Sequence, residues 1–172
     1  MEGWVGLPIP LCEVLLRRGF GPDADLRSFL RPSFDDLHPP TDLSGLSRAV
    51  DRIEQAIEAR ERIFVHGDYD VDGMTSAALL TLALQDLGGE AVGFVPHRVQ
   101  DGYDLGERAV DQAASQGAGL IVTADCGIQA LSAVRRATDL GIDVIVTDHH
   151  RPGPALPDAF AIVNPNLPGD TY

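Results

Sequence analysis

From residue 62 onward, short apolar runs alternate with longer segments whose apolar residues recur every three or four positions. The short runs predict five strands, at residues 63–65, 91–95, 120–123, 144–147 and 160–163. The longer segments predict helices at residues 74–87, 106–116 and 128–140, each followed by glycine. Near-continuous Val and Ile runs separated by helices are typical of a parallel sheet. We therefore expect an α/β fold, with a parallel sheet flanked by helices on both faces.

The first 60 residues show a different pattern and predict a short helical N-terminal extension. Helical spacing occurs at residues 11–18 and 23–30, and prolines at 32, 39 and 40 interrupt any longer helix. Residues 43–60 predict an amphipathic helix with an apolar face made of Leu46, Val50, Ile53 and Ile57. We accordingly divide the chain into an extension, residues 1–60, and an α/β domain, residues 61–172.

Three carboxylates stand at alternate positions directly after the first predicted strand. Asp68, Asp70 and Asp72 repel one another, and a turn from strand to helix gains nothing from this repulsion unless a cation neutralises it. We interpret the segment as a metal-binding turn. The alternative is a solvated acidic loop in which Asp72 caps the following helix.

Other polar clusters follow the other predicted strands in the same way. In an open parallel sheet, ligands gather beyond the carboxyl ends of the strands, so these clusters are expected to meet at one edge. They are residues 66–72 after the first strand, His97-Arg98 and Asp101-Gly102-Tyr103 after the second, Asp125-Cys126-Gly127 after the third, and Asp148-His149-His150-Arg151 after the fourth.

The donor types at this edge indicate which ions could bind there. Carboxylates and imidazoles without a CxxC pair disfavour a structural zinc site and favour Mn²⁺, with Mg²⁺ a poorer substitute. The donors are too numerous for one ion, so two ions bridged by a carboxylate are expected. Such a pair holds the attacking and leaving oxygens of an in-line displacement at phosphorus, which indicates phosphoester hydrolysis.

Composition and net charge bear on what this surface could bind and on the expected cellular location. The 172 residues are 44% hydrophobic and carry a formal net charge of -13, which argues against this surface being a nucleic-acid grip. Two distant cysteines and the lack of a signal-like or spanning segment make a reducing cytoplasm the expected location.

The motifs together resemble those of the DHH phosphoesterase superfamily and, within it, the RecJ family of single-strand-specific 5'-to-3' exonucleases. Four motifs occur in order: Asp68-Tyr69-Asp70-Val71-Asp72-Gly73, Arg98 with Asp101-Gly102-Tyr103, Asp125-Cys126-Gly127, and Asp148-His149-His150. The opening, with Leu15-Leu16-Arg17-Arg18-Gly19 and Phe29-Leu30-Arg31-Pro32, is also similar to RecJ. Smaller members of the superfamily lack such an extension.

The resemblance implies a set of roles for these residues. Asp70 and Asp125 would hold one Mn²⁺, and Asp72, Asp125 and His149 would hold the other, with either His66 or Asp68 completing the first site. His150 would contact the scissile phosphate, Asp148 would orient a histidine, Arg98 would face substrate phosphate, and Gly102 and Tyr103 would belong to the substrate-binding loop. The implied function is single-stranded-DNA hydrolysis in DNA repair and recombination, with single-strand-binding protein and a helicase as candidate partners.

The chain departs from the family pattern in two places. Asp104 follows Tyr103 where a glycine is usual, so the loop is expected to differ in shape or mobility because aspartate tolerates a positive φ less readily. A later metal-binding aspartate, a second substrate-binding domain and an OB fold have no counterpart. We therefore expect this to be the N-terminal portion of a longer protein, nearly inactive alone, with its DHH domain truncated at the C-terminal side.

Two other functions compete with the exonuclease. One is a DHH-family phosphodiesterase for oligonucleotides or cyclic dinucleotides, which the N-terminal extension disfavours. The other is a non-catalytic module with a degenerate site, which is disfavoured because every visible ligand position is filled.

Overall fold

The computed structural model describes residues 7–21, 26–170 and 172. It divides into two compact units, Met1–Pro39 and Pro40–Tyr172. The first unit contains helices α1 (Ile9–Arg17) and α2 (Leu26–Leu30) and a 3-10 turn at Phe34–Asp36, with Leu15 and Leu26 buried. The start of the helix predicted at residues 23–30 lies outside the described residues.

The second unit is an α/β layer structure built on a five-stranded sheet, which confirms the predicted fold class. The strand order is β2-β1-β3-β4-β5, and every pairing is parallel. Its elements are a 3-10 turn at Pro40–Asp42, α3 (Leu46–Glu58), β1 (Arg62–Gly67), α4 (Val71–Asp86), β2 (Glu90–Phe94), α5 (Glu107–Ser115), β3 (Ala118–Ala124), α6 (Leu131–Asp139), β4 (Asp143–Thr147) and β5 (Ala161–Val163).

Side chains of the central strands alternate between two apolar layers, as the period of an extended strand requires. Ile63 and Val65 of β1 face the layer that includes residues of α3 and α4. Phe64 faces the opposite layer, which includes residues of α5 and α6. These central strands are buried on both faces, which explains why their sequences are apolar runs rather than alternating patterns.

Helix α3 belongs to the same compact unit as the sheet, although the sequence placed it in the extension. Its buried residues are Ala49, Arg52 and Ala56, whereas Val50, predicted for the apolar face, is 42% exposed. The apolar stripe is therefore rotated relative to the prediction, because small alanines allow this face of the helix to pack closely. The boundary at residue 60 stays a prediction about domain organisation.

Arg52 connects α3 to the edge of the sheet where β1, β3 and β4 begin. Its guanidinium donates two hydrogen bonds to Glu61, at 2.7 and 2.9 Å, and a third to Asp143 at 2.7 Å. Because Arg52 is buried, these two carboxylates compensate its charge and accept its hydrogen bonds away from water. This ion-pair network lies at the opposite edge from the polar clusters.

Helix α4 begins at Val71, three residues earlier than the sequence suggested. Its N-cap is Asp70, whose carboxylate accepts a hydrogen bond of 2.9 Å from the amide of Gly73. In the alternative interpretation Asp72 caps this helix, and that detail is wrong: Asp72 lies within the first turn, where its charge complements the helix dipole. In the described part of the chain, no helix is both long and apolar enough to span a membrane.

Candidate metal centre

The carboxyl ends of β1, β3 and β4 bring together side chains that are far apart in sequence. Among the described residues, one group of three potential metal donors has ligand atoms within 4.8 Å of one another, and it consists of Asp125, His149 and His150. Two strand-end motifs therefore meet, as expected at this edge of a parallel sheet.

Asp125 and His149 are in direct contact. The Nε2 atom of His149 lies 2.9 Å from Oδ1 of Asp125. Asp125 adopts a left-handed backbone conformation, φ 67°, and its amide donates to the carbonyl of Thr147 at the end of β4. Burial raises the pKa of the Asp125 carboxyl, and the charge of Asp70 raises it further. A carboxylate that is costly to ionise is a site where a bound cation would restore the charged form.

Asp148 fixes the position of the two histidines that follow it. Its Oδ1 accepts hydrogen bonds from the amides of His149 and His150, at 2.7 and 2.9 Å, and lies 2.7 Å from Nδ1 of His150. Its Oδ2 accepts a hydrogen bond of 3.0 Å from the amide of Ile128. The contact between Oδ1 of Asp148 and Nδ1 of His150 raises the pKa of His150 and leaves its Nε2 directed away from Asp148.

The three carboxylates of the first motif have different environments. Asp68 is buried and accepts a hydrogen bond from the amide of Tyr69, whereas Asp70 and Asp72 are exposed. Burial raises the pKa of Asp68, the nearby Asp70 charge raises it further, and His150 lowers it. Asp68 thus lies within electrostatic range of the histidine motif, while the structure records no direct contact between Asp72 and the Asp125 group.

His66, the alternative ligand to Asp68, is fully buried at the end of β1. Its Nδ1 lies 3.5 Å from Sγ of Cys126, its ring packs at 5.5 Å from that of Phe94, and its Nε2 has no hydrogen-bond partner in the structure. Burial lowers the pKa of His66 to about 4, so this imidazole is neutral at pH 7.

The second motif, together with Tyr69 of the first, contributes a row of aromatic and cationic groups beside the histidines. The guanidinium of Arg98 lies 5.1 Å from the ring centre of Tyr69, and the rings of Tyr69 and Tyr103 meet edge to face at 6.0 Å. The Tyr103 hydroxyl lies 3.4 Å from Nε2 of His150. Gly102 precedes this tyrosine with φ 84°. An open cavity of about 250 Å³ adjoins the row and is lined by Tyr103, Asp104, Ile128, Gln129, Asp148, His150 and Arg151.

Asp104 adopts the positive φ that the family pattern assigns to glycine. Its φ is 73°, and its carboxylate accepts hydrogen bonds from its neighbour Leu105 at 2.8 Å and from Gly127 at 2.6 Å. These bonds offset the strain of the left-handed conformation and tie the second motif to the third. Asp104 thus adopts the conformation usual for glycine, and its hydrogen bond from Gly127 holds the loop against the Asp125 turn.

Cys126 is a buried structural residue rather than a nucleophile. It is 1% exposed, and burial, together with the charge of Asp104, raises the pKa of its thiol.

Sequence reasoning missed the loop that follows β5. Asn164 is fully buried and donates a hydrogen bond to the carbonyl of His150, and Asn166 donates one to the carbonyl of His149. The available signal was the position of these asparagines directly after the fifth strand, adjacent to the fourth.

Comparison with known proteins defines the class of this fold and site. Residues 62–171 match the family model for the N-terminal domain of the DHH family, and the chain therefore belongs to that family. The chain is 42% identical over 162 residues to the single-stranded-DNA-specific exonuclease RecJ of Bacillus subtilis and 49% identical over 139 residues to that of Escherichia coli. These matches cover 94% and 80% of this chain but 21% and 24% of the relatives, so the chain spans about a fifth to a quarter of their length.

A solved structure shares the same architecture. A crystal structure of exonuclease RecJ bound to manganese superposes with a TM-score of 0.72 at 38% identity, covering 79% of this chain and 35% of that one. The RecJ resemblance read from the motifs is confirmed at the level of family and fold.

Proposed function

We propose that this chain is the catalytic-core portion of a Mn²⁺-dependent, single-stranded-DNA-specific 5'-to-3' exonuclease acting in DNA repair and recombination. The observation that carries the proposal is the pairing of His149 with Asp125, 2.9 Å apart at the carboxyl edge of a parallel sheet. The identity to RecJ exonucleases across both units supports the choice of substrate class.

The donor set fits Mn²⁺, an ion that accepts both imidazole nitrogen and carboxylate oxygen. The proposed ligands are Asp70 and Asp125 for one ion, and Asp72, Asp125 and His149 for the other. Asp68 completes the first site better than His66, because Asp68 lies near the charges of Asp70 and His150 whereas His66 packs against Cys126 and Phe94. When bound, such ions polarise a phosphate and supply hydroxide near neutral pH.

The remaining residues are proposed to position the substrate. Asp148 lies 2.7 Å from Nδ1 of His150 and raises the pKa of this imidazole, which favours the protonated form that would donate from Nε2 to a phosphate oxygen. Arg98, Gly102 and Tyr103 form the adjoining loop, where the guanidinium would meet phosphate and the exposed tyrosine ring would offer a stacking surface to a base.

The alternative substrate is a short oligonucleotide or cyclic dinucleotide. The same strand-edge chemistry serves both, and the coverage of the RecJ match, 94% of the chain, favours the exonuclease. Single-strand-binding protein and a helicase are proposed as partners, and a cytoplasmic location is proposed because Cys12 and Cys126 are both free thiols.

A chimera tests the function directly. This chain would replace the matching 162-residue segment of the Bacillus subtilis relative, and digestion of 5'-labelled and 3'-labelled single strands would be followed with Mn²⁺ or EDTA. We expect Mn²⁺-dependent digestion from the 5' end and slower cleavage of duplex and cyclic dinucleotide. His150→Ala should lower turnover by about a hundredfold, the cost of removing one stabiliser of developing charge, with Mn²⁺ content unchanged.

His38→Ala provides the matched control, because His38 lies in the first unit and outside the strand-edge motifs. A chimera that carries Mn²⁺ and cleaves cyclic dinucleotides faster than single strands would favour the alternative. Equal rates for His150→Ala and the unmodified chimera would refute the role of His150.

A further inference from the structure

The loop after β5 runs alongside the loop that carries the two histidines. Strands β4 and β5 pair in parallel from Ile145↔Ala161 to Thr147↔Val163. The pairing continues past the strand ends, because the amide of Asp148 donates to the carbonyl of Val163 at 3.1 Å. Residues 164–166 are therefore held beside residues 148–150 by the sheet itself.

Asn164 uses both ends of its carboxamide in this position. Its Nδ2 donates to the carbonyl of His150 at 2.9 Å, and its Oδ1 accepts from the amide of Asn166 at 2.8 Å. The residue is 0% exposed, so each of these bonds is made away from water. A side chain at this position must offer one donor and one acceptor to satisfy both partners, and the neutral carboxamide of asparagine does so without burying a charge.

Asn166 extends the same arrangement to the other histidine. Its Nδ2 donates to the carbonyl of His149. Two successive carbonyl groups, those of His149 and His150, are thus bound by carboxamides from one neighbouring loop. Asn166 itself is exposed, so its side chain can be changed without opening a cavity.

Asp148 binds the other side of the peptide group that joins His149 to His150. Its Oδ1 accepts from the amides of His149 and His150, while the asparagines bind the carbonyls. This one peptide group, held on both sides, cannot rotate without breaking two hydrogen bonds, and its orientation helps to set the direction in which each imidazole leaves the backbone. For His149 that direction brings Nε2 to 2.9 Å from Asp125.

We propose that Asn164 and Asn166 are positioning residues that hold the His149 and His150 backbone so that the two imidazoles face Asp125. The proposal deepens the proposed function and rests on it for its effect on metal binding. The asparagines touch neither substrate nor ion in this account; they act through the two histidines.

The test uses the 172-residue chain with two measurements. Amide hydrogen exchange in EDTA reports whether the loop is held, and calorimetric titration with Mn²⁺ reports whether the imidazoles are positioned. For Asn166→Ala we expect faster exchange at the His149 and His150 amides, unchanged exchange in β4, and Mn²⁺ affinity lower by about tenfold or more, the usual effect of losing a partner that orients a ligand.

Further variants separate positioning from general stability. Asn166→Asp keeps the shape but loses the donor and should behave like alanine, whereas Asn166→Gln keeps the donor and should recover part of the affinity. Gln85→Ala is the control: it removes a carboxamide hydrogen bond of 2.9 Å to the carbonyl of Ala91, near the C-terminal end of α4, and should leave both measurements unchanged. Asn164→Asp is informative only where it folds, so the exposed Asn166 series decides the result.

Unchanged exchange at both histidine amides in Asn166→Ala, or Mn²⁺ affinity within twofold of the unmodified chain, would overturn the positioning role. If the unmodified chain binds no Mn²⁺, the proposed metal site fails instead. The exchange rates then still decide whether the asparagines hold the loop.

Discussion

At the scale of single residues, burial decides the charge of His66. The folded-state pKa, about 4, lies below the ordinary value of 6.5, so the folded protein binds fewer protons than the unfolded chain between these pH values. The stability that this difference provides is therefore present above pH 6.5 and is lost as pH falls toward 4.

This predicts a pH-dependent effect of replacing His66. In EDTA, protonation of His66 in the unfolded chain should lower the unfolding free energy of the unmodified protein by about 2 kcal/mol between pH 7 and pH 5, and His66→Phe should not show this loss. Asp68, Asp104 and Asp125 have raised pKa values and act in the opposite direction, so the difference between the two proteins must be measured. Urea unfolding at both pH values measures it, and parallel pH profiles would contradict the assignment.

Some residues of the candidate site could be placed from the sequence, and others could not. Asp125 and His149 could be placed together because strand ends of a parallel sheet converge, and this needs only the strand pattern. The roles of Asn164 and Asn166 could not be read in advance, because a carboxamide gains meaning only from the carbonyl it reaches, 14 and 17 residues away. The sequence also could not show that Asp70 caps α4. Three aspartates at alternate positions are all possible caps, and the backbone angles decide among them.

At the scale of elements, the helices and strands were predictable from period alone, whereas the packing of α3 was not. The sequence favoured Val50 for the buried face because it is large and apolar, yet Ala49 and Arg52 are buried there. A buried arginine is unexpected without its partners, and those partners, Glu61 and Asp143, come from outside the helix. The network is a long-range feature that no helical pattern contains.

Helix α3 should therefore depend on the ion-pair network. Arg52→Met leaves Glu61 and Asp143 without their cation, and we expect a loss of about 2–3 kcal/mol of unfolding free energy, below the 3–5 kcal/mol of a fully buried pair because both carboxylates are partly exposed. Adding Glu61→Gln removes one stranded charge and should recover part of the loss. Urea unfolding measures both variants, and a double variant no more stable than Arg52→Met would argue against stranded charge as the cause.

At the scale of the whole molecule, the negative net charge of the chain repels the proposed substrate, single-stranded DNA. The net charge is -13, and two bound divalent ions would offset only about four of these charges, so attraction of a polyanion remains unfavourable. The relatives are four to five times longer than the matched segment, by the 21% to 24% coverage, and in them other regions have room to supply basic contacts.

We therefore expect the 172-residue chain alone to bind single-stranded DNA weakly and to digest it slowly. Fluorescence anisotropy with a labelled oligonucleotide should show weak binding to the chain and tighter, salt-dependent binding to the chimera, whose salt slope reports its phosphate contacts. Tight binding by the chain alone would mean that its own surface contains the nucleic-acid grip.

The central claim is that the carboxyl edge of the sheet binds catalytic metal through Asp125, and titration calorimetry with Mn²⁺ tests it most directly. The unmodified chain should bind Mn²⁺, and Asp125→Ala should lose both ions because this carboxylate is proposed to bridge them. Asp139 is an exposed aspartate at the end of α6, and the control variant Asp139→Ala should bind Mn²⁺ as the unmodified chain does. Normal Mn²⁺ stoichiometry in Asp125→Ala would contradict the account.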